Sequence, residues 1–480
     1  MPTGLVDVLH DASVLYRFVE FIGEYCRQQK RSQTYVGSAA VFFQYVEQLA
    51  AGIQDELRRE VERAAKGSPR LATLRRNMRT FRGYLRLLHT LIKPAADAHS
   101  LTIPGPLVDL ACQQLQEVDG MADSRVLILL TPEFMYFQRP HTDIKGQARD
   151  IEAFIPSASF PPKLGFIEIP YSQGPSFFTN LAIYHEIGHF VYEELSNRKP
   201  SHGGFRTLAS VKDRCLNKAF NLRSSTVTAG ARNAVRVERN RQALALAEKI
   251  LENWTQEIFC DLFALRLIGP AFSFAFIEMI GMLGVSPTQR VTFTPDHPAP
   301  ACRFAEQVKL LREDSWWKEI EDLQAEQRQF LQESASIPPR RYTFLLDENH
   351  RGPRKLLDAF VTDLVPAIKD LVCQLTRRAV PSVERFRRVQ DGIQQSFRAG
   401  VMPLTDTPDK CDPVCIINAA FCFYLTAVRE IVESFNGPGH DNDVALHSEW
   451  KNRIEMWTMK AVEDSQFMRR YKKVQRYGPF

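Results

Sequence analysis

No stretch of this 480-residue chain reaches the roughly 18 uncharged apolar residues that a membrane-crossing helix requires. The longest candidate, Val414 to Val428, is too short and contains Asn418 and Thr426, so it reads as a buried core helix with no membrane span. Asp7, Asp11 and Glu20 interrupt the N-terminal segment, which therefore lacks the basic-then-apolar order of a secretory leader. The expected location is cytoplasmic. The nine cysteines are scattered and form no CxxC pair; Cys411 and Cys415 are close but have no matching second pair, which argues against a disulfide framework or a zinc ribbon. They read as reduced core thiols. Also missing are a GxSxG elbow, a phosphate-cradling GxxxxGK[ST], a Gly-rich dinucleotide fingerprint and any repeat of 20 to 50 residues.

Charge of one sign is scarce overall, with 61 Lys and Arg against 56 Asp and Glu for a net +5. The positives do gather, from Arg58 to Arg86 and in Arg469-Arg470-Tyr471-Lys472-Lys473. No helix-turn-helix, zinc finger or RNA-binding motif accompanies them, and the aromatics do not interleave with the cations as stacking platforms do. The clusters read as solvated, salt-bridged helix faces, and a nucleic-acid partner is not expected.

What is present is ample core material, 44% apolar residues with 24% charged. Helical spacing runs through Val14 to Tyr25, Tyr35 to Leu49 and Leu71 to Leu91, with a break at Gly67-Ser68-Pro69. Strand-like runs follow at Arg125 to Leu130 and Leu164 to Tyr171. In the second, Pro170 suits an edge or an end of the strand better than the middle of a sheet; at an edge the strand could pair with an extended peptide, with Tyr171 as an extra donor, and the alternative is an ordinary strand in a small sheet. A Gly/Ser/Thr-containing loop around Arg223 to Gly230 precedes a long helix ending at Gly269-Pro270. Helical spacing then returns in Trp316 to Leu331, Leu356 to Leu375, Val383 to Phe397, Ile416 to Phe435 and Trp450 to Met468. The expected architecture is mostly α with a small β-sheet (α+β): a helical lobe over 1–120, a mixed core over 121–310 and a second helical lobe over 311–480.

The core contains Ala182-Ile183-Tyr184-His185-Glu186-Ile187-Gly188-His189-Phe190, an HExxH pattern in an apolar, helix-compatible run. Gly174-Pro175 can open that helix, and Asn197, Pro200 and Gly203-Gly204 can end it. Residues four apart share a helix face, so His185 and His189 can offer two imidazole nitrogens to one cation. Glu186 projects beside them, where a carboxylate can take a proton from water activated by the metal.

A third ligand is needed. A metzincin extension would require Gly and His where Tyr192 and Leu195 stand. Glu257 is the better candidate, in Trp254-Thr255-Gln256-Glu257-Ile258-Phe259-Cys260-Asp261-Leu262, because its apolar neighbours turn it inward. Asp261, one turn on, can accept the second N–H of a ligating histidine and fix its tautomer. Glu193, Glu194, His202 and Glu252 are the rival ligands.

HExxH followed by ExxxDxxA resembles the gluzincin metallopeptidases, in which the two His and the later Glu bind zinc. His297-Pro298 with Arg303 further resembles the HP-and-Arg element of the CAAX-processing and heat-shock membrane endopeptidases. The resemblance covers about Leu164 to Arg303. It implies a zincin-like core, Zn2+ as cofactor, and His297 and Arg303 as groups that polarise a scissile carbonyl or hold substrate. Those relatives span membranes, whereas this chain shows no span. The expected function is a zinc-dependent metallopeptidase acting on a peptide or protein, with His185, His189 and Glu257 on the metal and Glu186 as general base. A helical interaction protein carrying an idle metal site is the alternative. The sequence is silent on substrate and oligomeric state.

Overall fold

The computed structural model describes residues 5–31, 37–66, 69–98, 103–132, 136–139, 141–161, 163–173, 176–197, 203–220, 231–282, 296–320, 356–403, 412–437 and 443–477. They form two compact units, one from 1–112 with 123–175 and the other from 113–122 with 176–480. These units do not follow the three-part division read from the sequence. The mixed segment around both strand-like runs gathers with the N-terminal helices, and the HExxH helix gathers with the C-terminal ones.

In the first unit, α1 (Leu5–Arg31), α2 (Ser38–Ala64) and α3 (Pro69–Ala98) realise the three N-terminal periodic segments. Each buries an apolar stripe at three- and four-residue spacing, such as Phe42, Val46, Leu49 and Ile53 on α2 and Leu74, Phe81, Leu85 and Leu88 on α3. After the part of α4 (Gly105–Glu117) up to Cys112, strands β1 (Arg125–Thr131) and β2 (Phe137–Arg139), helix α5 (His141–Glu152) and strand β3 (Leu164–Pro170) complete the unit. The sheet order is β1-β3-β2, with β1 parallel to β3 in the register Arg125↔Leu164 to Thr131↔Pro170. β2 pairs antiparallel, Phe137 opposite Glu168.

β3 is therefore the central strand: Pro170 stands at its end, one of the two places expected for it, and the alternative of a peptide-pairing edge at Leu164 to Tyr171 is corrected. Both of its sides are hydrogen-bonded and all seven residues are buried. A near-continuous apolar run fits a strand covered on both faces. Pro170, which lacks an N–H, is accommodated because it is the last residue of the strand. Tyr171 follows as an exposed residue and donates its hydroxyl to Asp97 at 3.0 Å, within the same unit.

The second unit is helical among its described residues. It contains α6 (Ile183–Asn197), α7 (Gly203–Phe220), α8 (Ala231–Ile268), α9 (Pro270–Met282), α10 (Pro300–Glu313), the short α11 (Trp317–Ile320), α12 (Val365–Leu375), α13 (Val383–Arg398), α14 (Pro413–Asn436) and α15 (Val444–Tyr477). A π-helical turn, Phe360–Leu364, leads into α12. The expected loop at 223–230, most of the expected helix from Trp316 to Leu331, and His202 lie outside the described residues.

Two junctions fix this helical frame. Gly269 adopts φ +77°, the left-handed conformation that ends α8 and lets α9 start at Pro270. Asn418 of α14 spans that junction, donating to Ile268 O at 2.7 Å and accepting from Ala271 N at 2.9 Å. This explains an asparagine inside the most apolar long helix. Its stretch Pro413–Ser434 is, at 22 residues, long and apolar enough to cross a membrane, which corrects the expectation that no segment reaches that length. In the structure 72% of its 18-residue apolar window is buried, and Phe421 packs on Phe178 with ring centroids 4.1 Å apart. The described cysteines are free thiols.

Candidate metal centre

α6 and α8 cross at close range, and glycine is what permits it. A Cβ on Gly188 would lie 2.8 Å from the Cα of Cys260, closer than any real side chain approaches backbone. That contact sets the two residue pairs of the site, His185/His189 on α6 and Glu257/Asp261 on α8, face to face.

His185 Nε2 and His189 Nε2 are 3.2 Å apart. Glu257 completes the cluster with one oxygen towards each imidazole, Oε2 3.5 Å from His185 Nε2 and Oε1 3.5 Å from His189 Nε2. Donor atoms about 2.1 Å from a tetrahedral ion stand about 3.4 Å from one another, so these three residues have the spacing of ligands around zinc.

The surrounding groups set the electrostatics. Arg303 of α10, itself buried, binds Asp261 through two parallel contacts, Nε to Oδ2 at 2.6 Å and Nη2 to Oδ1 at 2.7 Å, and reaches Glu257 Oε2 through Nη1 at 3.0 Å. Its guanidinium lies over the Phe276 ring of α9, 4.4 Å from the centroid. Burial alone would raise the pKa of Glu257, but Arg303 and the two imidazoles outweigh it and hold the carboxyl well below the usual range. Asp261 is held low in the same way, burial again being outweighed by Arg303. For His185 burial works against the charged ring; hydrogen bonds and charge from Asp261 and Glu257 overcome it and lift the imidazole to about 10. His185 Nδ1 stands 3.0 Å from Asp261 Oδ1, somewhat off the line of a good hydrogen bond.

The structure thus brings His185, His189, Glu257 and Asp261 together with Arg303, all five of them residues singled out from the sequence. The resemblance implies contact of Arg303 with a scissile carbonyl or substrate, whereas here all three of its guanidinium nitrogens are directed at the carboxylates of Asp261 and Glu257. His297 is 52% exposed and its Nε2 lies 3.6 Å from Glu257 Oε1, on the solvent side of the cluster. Glu186 is buried in the first turn of α6. Of the rival ligands, Glu252 is taken up by Lys212 and by Tyr192, whose hydroxyl donates at 2.8 Å.

Cys260 is a residue the sequence reading missed. Its sulfur groups with His185 and His189, every pair of donor atoms within 4.8 Å, so a His-His-Cys set could also hold a metal. Burial pushes the thiol well above its ordinary pKa, and the nearby carboxylates push it further. Glu257 is ionised and Cys260 is not, so Glu257 is the readier third donor. The signal available in the sequence was its position three residues after Glu257, which puts it on the same side of α8.

Comparison of the chain with protein-family models, with curated proteins and with solved structures finds no match.

Proposed function

We propose that this protein is a zinc-dependent metallopeptidase in which His185, His189 and Glu257 hold the ion. The observation that carries the reading is the cluster in which the Nε2 atoms of His185 and His189 are 3.2 Å apart and each lies 3.5 Å from one carboxylate oxygen of Glu257. In this reading α6, α8 and α10 make up a zincin-like core. Zinc held there supplies Lewis acidity and lowers the pKa of water towards about 7.

The chain's own residues do the rest. Glu186, adjacent to His185, takes a proton from the attacking water as its oxygen bonds to the peptide carbonyl carbon. It then gives that proton to the leaving amine as the C–N bond breaks. Asp261, with Oδ1 3.0 Å from His185 Nδ1, is placed to accept from it when the ring turns into line and so to direct Nε2 towards the ion. Arg303 keeps Asp261 and Glu257 ionised and oriented. His297, on the open side, offers a ring N–H where charge develops on the carbonyl oxygen.

Metal content and turnover, measured together, test this. Elemental mass spectrometry on wild-type protein should find about one zinc per chain, much reduced in Glu257→Ala and retained in Cys260→Ala. A mixed peptide library should be cleaved by wild type and left intact by Glu186→Gln at equal zinc content. Folded wild-type protein that takes up no zinc overturns the proposal. Zinc without turnover, unchanged by Glu186→Gln, replaces it with an idle metal site.

A further inference from the structure

We infer that the first unit carries a binding surface for a single nucleic-acid strand along α3, held through its phosphates. The inference concerns α1 and α3 alone and stands apart from the metal centre.

The sequence reading treated Arg58 to Arg86 as one salt-bridged run, and the structure divides it. On α2 the arginines are paired with neighbouring acids: Arg63 with Glu60 at 2.8 Å, Arg59 with Glu56 at 3.4 Å and Arg58 with Asp55 at 3.9 Å. α3 has seven Lys and Arg residues and a single acid, Asp97. That acid is already occupied by Lys93 at 2.6 Å and by the Tyr171 hydroxyl at 3.0 Å. Among the described residues, none of Arg75, Arg76, Arg79, Arg82 and Arg86 has a carboxylate within salt-bridge distance. Arg82 is half-buried and the other four are exposed.

Their spacing makes them a line. Positions 75, 79, 82 and 86 follow the i, i+4, i+7, i+11 rule, so these arginines lie on one face and span about 16 Å of helix. The same row continues to exposed His89, whose ring is 6.2 Å from that of Phe18 on α1. Four guanidiniums held in a row, with no carboxylate partner among the described residues, repel one another. A chain carrying one negative charge per unit relieves that repulsion along its whole length, and each guanidinium can grip a phosphate through two N–H groups. The rings at the end of the row offer a surface on which a base can stack. An anionic bilayer suits the row less well, because none of the large exposed apolar residues lies on α3 to insert among the cations.

The test uses the full chain and a fluorescein-labelled 20-nucleotide oligo-dT, read by anisotropy at several salt concentrations. Wild type should bind, with affinity falling as salt rises. Combined Arg79→Glu, Arg82→Glu and Arg86→Glu should weaken binding at least tenfold and make the log–log salt slope shallower by about 2, the amount expected for loss of three phosphate contacts at about 0.7 each. The same net charge change placed on the paired helix, Arg58→Glu, Arg59→Glu and Arg63→Glu, should alter affinity less than about threefold. Circular dichroism establishes that both variants fold, and replacing the three α3 arginines by Lys, which keeps the charge, should preserve most of the binding. No binding by wild type at 50 mM salt, equal loss in the two charge-reversed variants, or tighter binding to phosphatidylserine vesicles than to the oligonucleotide overturns the inference.

Discussion

Gly188 of α6 lies against Cys260 of α8 so closely that a single added carbon would fall 2.8 Å from the Cys260 Cα and 3.1 Å from its sulfur. The contact lies in the turn between the two candidate histidine ligands and opposite the turn between Glu257 and Asp261. Helix separation and donor-atom geometry are therefore one quantity at this site.

Gly188→Ala separates two opposing effects. Alanine in a helix interior normally gains about 0.5–1 kcal/mol over glycine, but here the obstacle is backbone, which cannot rotate away, and overpacking of this kind costs about 1–3 kcal/mol. The expected result is a lower thermal midpoint and weaker zinc binding. Gly83→Ala on α3, where an added Cβ would meet no atom within 4 Å, should raise the midpoint instead. A stabilised Gly188→Ala variant with unchanged zinc affinity contradicts this account of the helix crossing.

Arg303 compensates two buried carboxylates at once. Its removal in Arg303→Ala leaves the buried carboxylates of Asp261 and Glu257 without their guanidinium, and loss of one partner from a buried ion pair costs about 3–5 kcal/mol. Asp261→Asn keeps the shape and removes one charge, so its main effect should be on the ion: zinc affinity reduced about 10- to 100-fold with a smaller change in stability. Urea denaturation and competitive zinc titration distinguish the two effects. Equal behaviour of both variants in both assays is the contrary outcome.

The metal-free protein should lose stability in alkali. The His185 imidazole titrates at about 10 in the folded chain against an ordinary value of 6.5. A raised pKa means that folding is favoured by the bound proton: the contribution is complete below pH 6.5 and fades as pH rises through about 10. Glu257 and Asp261 are held low, so their contribution is present above the ordinary carboxylate range and disappears in acid. Denaturation of zinc-free protein at pH 7 and pH 10 should show the fall. Binding of zinc near pH 8 should release about one proton from His185, measurable by calorimetry in buffers of different ionisation enthalpy. Greater stability of the zinc-free protein at pH 10 than at pH 7 would contradict the assignment.

Asn418→Leu tests the junction between α8 and α9. The substitution leaves Ile268 O and Ala271 N without their present partner, and each unsatisfied buried group costs about 1–3 kcal/mol. We expect a lower denaturation midpoint with an unchanged dependence on denaturant. An unaltered midpoint means that the backbone groups find other partners.

Local chemistry was legible in the sequence wherever residues sit on one helix. The four-residue spacings of His185 with His189 and of Glu257 with Asp261 place each pair on one face whatever the rest of the chain does, and the periodic apolar stripes of α1, α2 and α3 are helical for the same reason. Pairings between elements were not legible, because they depend on which faces meet. Cys260 belongs beside the histidines only because α8 crosses α6 at Gly188. Arg303 became a clamp for two carboxylates only because α10 delivers it there. β3 is central because β1 and β2 take both its sides; Pro170 suits an edge or a strand end, and only the pairing shows that the end is the place it occupies. The same logic divides the Arg58 to Arg86 run. Local sequence supplied acids to the arginines of α2 and almost none to α3, while packing decided which arginines of α3 stay exposed and in line. Sequence alone determined helix faces and the residue types capable of acid, base and metal chemistry; tertiary structure decided their partners, because partner choice is set by long-range packing that no local spacing records.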